Sequence, residues 1–300
     1  MLVGYTGFVG SNLCLSHSFA SLINSKNIAS AYGACPETLI YSGVPAEMFI
    51  ANQYPEKDKA IIENAKHNIE KIRPGRIVLI STVAVYDRTD GVDEDDEPEE
   101  ERLTPYGRHR LDLEHWVETH YDRHLIVRLP AIYGENLKKN FIYDFIHYIP
   151  PMLTKEKYLA FAKDQPVIRD AYQPLENGFY KCMATDPSVI ARLKDAFRSV
   201  GFSALHFTDS RSVYQFFGLD HLYEAITDAL AKDIHKINLV TPPVSISELY
   251  RYLTGEEFFN ETKKPPYYYD IRTKYTPSGY ITTKEEELAQ IGHFIDTKIH

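Results

Sequence analysis

Short runs of β-branched and apolar residues alternate, along the first half of the chain, with stretches whose apolar positions recur every three or four residues. Leu2 and Val3 make a first strand, residues 19–24 a second, Leu39, Ile40 and Tyr41 a third, residues 77–80 a fourth and residues 125–129 a fifth. Between the third and fourth, Ile61, Ile62, Ala65, Ile69 and Ile72 share one helix face, and Leu113, Trp116 and Val117 mark another helix before the fifth. This alternation predicts an α/β fold, a parallel sheet with helices on both faces. Beyond about residue 150 the texture changes. Pro150 and Pro151 lead into a polar stretch, followed by a helix carrying Val189, Ile190, Leu193, Ala196, Phe197 and Val200, and then helices at 222–230, 246–253 and 288–299. The expected division is 1–150 for the sheet domain and 151–300 for a smaller mixed part, some of whose segments return to the first. The acidic run 93–102 lacks periodicity and reads as a solvated loop.

The turn after the first strand reads GYTGFVG, with Gly4, Gly7 and Gly10, and a helix opens at Phe8. Glycines so spaced permit a tight bend, a close approach of backbone to a pyrophosphate and close packing of helix on strand, and the first amides of the helix, at Phe8, Val9 and Gly10, face the phosphates. In a βα context this is the fingerprint of a doubly wound Rossmann sheet that binds a dinucleotide. Only three residues precede Gly4, so the strand reads as clipped at its start. The second strand ends in Asn24, Ser25 and Lys26 with no acidic residue to accept a ribose hydroxyl. A hydroxyl and an ammonium suit the 2′-phosphate of NADP, with NAD as the alternative. Ser42, Gly43 and Ser81, at the ends of the third and fourth strands, would border the same ligand.

Composition narrows the partners. A formal net charge of −9 speaks against a surface that holds nucleic acid through a general basic field. Three scattered cysteines, Cys14, Cys35 and Cys182, fit a reducing compartment, and neither a bilayer-spanning apolar run nor a signal-peptide layout is present, so the expectation is a cytoplasmic protein without a membrane partner. The twelve histidines form no metal signature, and no metal is expected.

The fourth strand runs into Ser81 and Thr82, then VAVYD, and PYGRHR follows about two dozen residues on. Tyr106 and Arg110 stand at i and i+4, one helix face, so a fixed cation beside the phenol would favour phenolate and draw its pKa toward neutrality. Thr82 at the strand end would hold the same substrate oxygen. In order and spacing GYTGFVG, STVAVYD, PYGRHR and RLPAIYG resemble an extended short-chain dehydrogenase/reductase of the NAD-dependent epimerase/dehydratase type, acting on sugar nucleotides. The resemblance implies a catalytic set of Thr82, Tyr106 and Arg110, the last where the family carries lysine; a guanidinium cannot join a proton relay as an ammonium can.

The resemblance further implies that Pro130 and Ala131 border the nicotinamide, that Thr82, Val83, Asn140 and Phe141 meet the substrate, and that Arg211 in SRSVYQF binds its diphosphate. Each has a plainer reading: Asn140 as a helix cap, Arg211 as a surface ion pair. Val83 and Ala84 stand where 4,6-dehydratases of the family place Asp and Glu, which disfavours water elimination. A reductase or a 4-epimerase using NADP or NAD is the expectation, with a slight preference for a 4-keto reductase, and a homodimer through the helices at 56–72 and 105–120 goes with it. The competing reading, motivated by Arg110, is a catalytically silent dinucleotide-binding sensor or assembly subunit.

Overall fold

The computed structural model describes residues 1–299. The chain divides into two compact units: Met1–Leu137 with Val213–Val244 and Tyr267–Gly292, and Lys138–Ser212 with Ser245–Pro266 and the chain from His293 onward.

The first unit is built on β1 (Leu2–Val3), α1 (Phe8–Ser16), β2 (Leu22–Ile23), β3 (Leu39–Tyr41), α2 (Met48–Gln53), α3 (Pro55–Ile72), β4 (Ile77–Thr82), α4 (Pro105–His120), β5 (His124–Leu129) and β6 (Ala131–Tyr133). In the second unit follow α5 (Phe141–His147), β7 (Met152–Thr154), α6 (Lys155–Ala162), α7 (Pro166–Ala171), β8 (Tyr172–Pro174), β9 (Phe179–Cys182) and α8 (Pro187–Ser199). The chain then returns to the first unit with β10 (Val213–Tyr214), β11 (Phe216–Gly218), α9 (Leu222–Ala231) and β12 (Lys236–Asn238).

Six strands form one parallel sheet in the order β12-β5-β4-β3-β1-β2. The chain starts at β1, steps outward to β2, then crosses back to β3 on the other side, so the direction of winding reverses between β1 and β3. In open α/β sheets ligands bind at that reversal, outside the carboxyl ends of the strands. Two apolar layers enclose the sheet: Leu13, Leu222 and Ile226 pack on one face with Val78 and Val127, and Ile62, Ile69, Leu113 and Val117 on the other with Leu79 and Ile126. The β-branched runs are continuous because these strands are covered on both faces. β2 is shorter than the run that suggested it, since the chain turns at once through Asn24, whose N–H donates to the Asn27 side chain at 2.7 Å.

The acidic run departs from the expected solvated loop at one residue. Glu94 is buried; its carboxylate accepts from the Asn238 N–H at 2.7 Å, the Thr273 hydroxyl at 2.7 Å and the Lys274 N–H at 2.8 Å. Three converging donors compensate its desolvation and fasten the loop to the end of β12.

In the second unit β7, β9 and β8 form a small antiparallel sheet. Its core gathers Leu153, Ile168, Leu193, Phe197 and Phe202. No helix among the described residues is long and apolar enough to cross a membrane.

Candidate active site

The parallel register aligns the strand ends. Val3 pairs with Ile23 and with Tyr41, and Thr82 with Leu129, so Gly4, Asn24, Ser42, Thr82 and Pro130 all lie along the carboxyl edge of the sheet. Gly4 has φ +94°, and a Cβ there would stand 2.5 Å from the Ser42 carbonyl oxygen. A Cβ on Gly10 would come within 2.2 Å of the Gly4 carbonyl oxygen, so only glycine lets α1 start this close to β1. Gly7 is less crowded, with 3.2 Å to the Gly4 oxygen, and the absent side chain leaves room over the turn. No side chain caps α1 and no acid sits in its first turn. Its first bond runs from the Ser11 N–H to the Gly7 carbonyl, leaving the amides of Phe8, Val9 and Gly10 ahead of the ladder. A dinucleotide's diphosphate fits this cradle of glycine backbone and uncapped helix end.

Ser42 donates its hydroxyl to the Val3 carbonyl at 2.9 Å, locking the ends of β1 and β3 together beside Gly43. Ser25 and Lys26 are exposed in the turn after β2, where Asn24 Oδ1 accepts the Lys26 N–H at 2.9 Å. Asn12, which the motif reading passed over, is buried. It donates to the carbonyls of Phe8 and Glu135 at 2.8 and 2.9 Å and accepts the Glu135 N–H at 2.9 Å, tying the glycine turn's helix to the chain after β6.

At the other side of the reversal, β4 ends at Thr82, whose hydroxyl oxygen accepts the Ala84 N–H at 3.1 Å and opens a single 3-10 turn through Val83–Val85. Val83 is buried, and neither it nor Ala84 can titrate. α4 begins with Pro105 at its first position, a good helix starter, and Thr104 caps it, accepting the Gly107 N–H at 3.4 Å. A Cβ on Gly107 would lie 2.1 Å from the Ala84 carbonyl oxygen, so this glycine allows α4 to rest on the turn after β4. The helix therefore brings the Tyr106 phenol up to the Thr82 side chain. The Tyr106 N–H donates to the Asn52 side chain at 2.9 Å.

Arg110 is buried beside them, but not as the spacing implied. Its guanidinium lies over the face of the Tyr106 ring, 3.9 Å from the centroid, and is bonded to Asp58 of α3, to the Tyr106 carbonyl at 3.3 Å and to the Pro45 carbonyl at 2.8 Å. Asp58 also holds His109 Nδ1 at 2.8 Å. The expected drop of the phenol pKa toward neutrality is corrected by this geometry. Burial raises the Tyr106 pKa above its ordinary value, more than the guanidinium and the Thr82 hydrogen bond lower it, and the Asp58 charge adds to the rise.

Below Thr82 lies a second buried ion pair that the sequence reading missed. Arg128 on β5 donates from Nε and Nη2 to Glu114 on α4, at 2.6 Å for the shortest contact, and from Nη1 to the Tyr86 hydroxyl at 2.7 Å. Ser81 donates to the same Glu114 carboxylate. Both missed acids carried a signal: Asp58 falls on the Ile62, Ala65, Ile69 and Ile72 face of α3, and Glu114 on the Leu113 and Val117 face of α4, charges where the period demands apolar residues.

Asn140, Phe141 and Arg211 belong to the other unit. Asn140 caps α5, accepting the Tyr143 N–H at 3.1 Å with φ +111°, and Phe141 is buried. Arg211 grips Asp209 with two bonds of 2.9 Å and meets Glu261 at 3.1 Å. In both cases the plainer reading describes the contacts made in this structure.

Residues 4–167 match the family model described as the RmlD substrate binding domain. Comparison with curated protein sequences finds no match. Among solved structures, the dTDP-4-dehydrorhamnose reductase of Bacillus anthracis, in complex with NADP, is similar with a TM-score of 0.61 at 15% identity, over 99% of this chain and 98% of that one. MoeE5 in complex with UDP-glucose and NAD gives a TM-score of 0.60 at 15% identity over 100% and 99%. The UDP-N-acetylglucosamine 4-epimerase of Methanobrevibacter ruminantium, in complex with UDP-N-acetylmuramic acid, gives 0.62 at 11% over 98% and 96%. At these identities the likeness is one of fold.

Proposed function

Because the chain belongs to the RmlD substrate binding domain family, with the fold and motif order of an extended short-chain dehydrogenase/reductase, we propose that it reduces the keto group of a sugar nucleotide with NADPH, or NADH, as donor. The observation that carries this reading is the juxtaposition of Thr82 and Tyr106 at the carboxyl edge of the sheet, with burial raising the phenol pKa above its ordinary value. A bound reduced nicotinamide dinucleotide would supply the hydride to the carbonyl carbon. Gly4, Gly7 and the first amides of α1 would hold its diphosphate, Ser25 and Lys26 the 2′-phosphate, and Ser42, Gly43, Ser81, Pro130 and Ala131 would border the rest.

Tyr106 then does one thing: it donates its phenolic proton to the substrate oxygen as negative charge develops there. Thr82, whose oxygen accepts the Ala84 N–H, would still have its one O–H to donate to the same substrate oxygen. The raised phenol pKa supports reduction over 4-epimerization, because epimerization must also start from a base that removes a hydroxyl proton. Val83 and Ala84 supply neither an acid nor a base for elimination. Asn140, Phe141 and Arg211 are the candidates for the nucleotide side of the substrate; Arg211 would have to trade Asp209 and Glu261 for a diphosphate.

Assays with NADPH and NADH against a panel of dTDP- and UDP-linked 4-keto sugars test the reading. Tyr106→Phe is expected to lower turnover by about 10² to 10⁴ while leaving dinucleotide affinity intact, the range for loss of a general acid. Turnover that ignores the substitution sinks the mechanism. The silent dinucleotide-binding sensor draws support from Arg110, which Asp58 holds where the family carries a free lysine; tight cofactor binding without turnover on any sugar of the panel would favour it.

A further inference from the structure

The first unit contains a carboxylate with no part in the mechanism above. Asp58 sits in the first turn of α3, 5% exposed, on the face that otherwise packs into the core. One of its oxygens, Oδ2, takes both Arg110 Nη1 and His109 Nδ1, consecutive residues of α4. Arg110 is thereby fixed at both ends of its fork, with Nη2 on the Pro45 carbonyl in the segment between β3 and α2. A guanidinium so held stays over the Tyr106 ring, and its charge is partly offset by the carboxylate that holds it.

We infer that Asp58 is a positioning residue of the site: it pins Arg110 on the Tyr106 ring and offsets part of its charge, which favours Tyr106 as a proton donor. The inference rests on the reading of Tyr106 as the acid, and it assigns a direction to the site. Where an unopposed cation beside the phenol would serve oxidation and reduction alike, a cation held and partly offset by Asp58 favours the protonated phenol and suits reduction. The charged groups that act on the phenol are Arg110 from its own helix and Asp58 from α3, with His109 sharing the carboxylate. β4 contributes only the Thr82 hydroxyl and α2 the Asn52 amide, which meets the Tyr106 N–H.

The test reads the phenol itself. In protein labelled with ¹³Cζ-tyrosine, the Tyr106 resonance is the one lost in Tyr106→Phe, and its midpoint is followed against pH in the parent, Asp58→Asn and Arg110→Met. Asp58→Asn removes a negative charge and frees the guanidinium, and is expected to lower the midpoint by about one unit, the scale of a nearby charge. Arg110→Met is expected to raise it. Opposite shifts support the inference. An unchanged or raised midpoint in folded Asp58→Asn overturns it; should that variant not fold, a midpoint in Arg110→Met that stays put or falls does so. A downward shift in Asp58→Asn with no turnover of any nucleotide-linked keto sugar, by parent or variant, upholds the role of Asp58 and fells the catalytic reading. The reverse pattern, turnover by the parent with an unmoved phenol, keeps that reading and overturns Asp58.

Discussion

One turn apart on the same face of α4, Arg110 and Glu114 each form a buried ion pair, and the two pairs are built differently. Glu114 meets Arg128 through a bidentate fork; the remaining donors and acceptors go to Tyr86 and Ser81, and both charged groups are essentially inaccessible, 2% and 0% exposed. Every strong polar atom is paired within the scaffold, and Arg128 binds its proton more tightly than a free arginine because the carboxylate outweighs the desolvation. Arg110 and Asp58 spend their bonds on a ring, two carbonyls and a histidine. The first pair joins β4, β5 and α4. The second fixes what surrounds one phenol. Burial alone therefore does not tell scaffold from site; what the leftover donors touch does.

Glu114→Gln attacks the first pair and should have the largest effect on stability. It leaves the Arg128 charge buried without its counter-ion, a change that costs about 3 to 5 kcal/mol. Urea unfolding at neutral pH measures it, and the midpoint of the Tyr106 titration should stay where it is. A loss below about 1 kcal/mol, the range of a surface pair, would erase the distinction between the two pairs.

The sequence made much of this legible and for physical reasons. Gly4 and Gly10 are visible because no other residue serves a turn with φ +94° or a helix start where a Cβ would stand 2.2 Å from the Gly4 carbonyl oxygen. The strands at Ile77–Thr82 and His124–Leu129 are visible because a sheet covered on both faces demands unbroken apolar runs. Thr82 and Tyr106 were singled out by motif order and the family resemblance it carries. Their third partner was read by spacing, and there the inference stopped short: i and i+4 bring Arg110 to the ring, but Asp58, 52 residues away, decides what the charge does. Long-range pairing leaves no local period. Gly107 illustrates the same limit, since its close approach is to Ala84, a contact that exists only once α4 lies on the turn after β4.

Gly107→Ala sharpens the comparison from the site's side. The new Cβ meets backbone, the Ala84 carbonyl, so α4 must shift at its first turn, with an expected cost of about 1 to 3 kcal/mol. Tyr106 moves with that turn while Glu114, two turns on, is held by Arg128. Turnover should fall more steeply than the stability loss accounts for. Equal stability and activity losses would mean that the Thr82 and Tyr106 pairing does not depend on this contact.

Asp144 supplies the case that neither pair covers, a partly buried carboxyl on α5 with no ion pair among the described residues, and loss of solvent pushes its pKa from 3.8 up to about 7. The sign follows from proton counting. Between about pH 4 and pH 7 the folded chain keeps a proton on Asp144 that the unfolded chain has lost, so stability falls as pH rises through this window and levels off above it. Asp144→Asn keeps the shape and removes the titration. The variant should match the parent near pH 4 and exceed it near pH 8 by an amount on the order of 1 kcal/mol, reduced from the full linkage value because the side chain is only partly buried. Urea midpoints at the two pH values measure the difference. A gain for Asp144→Asn that is the same at both pH values would remove the contrast between Asp144 and acids such as Asp58 and Glu114 that have a cation beside them.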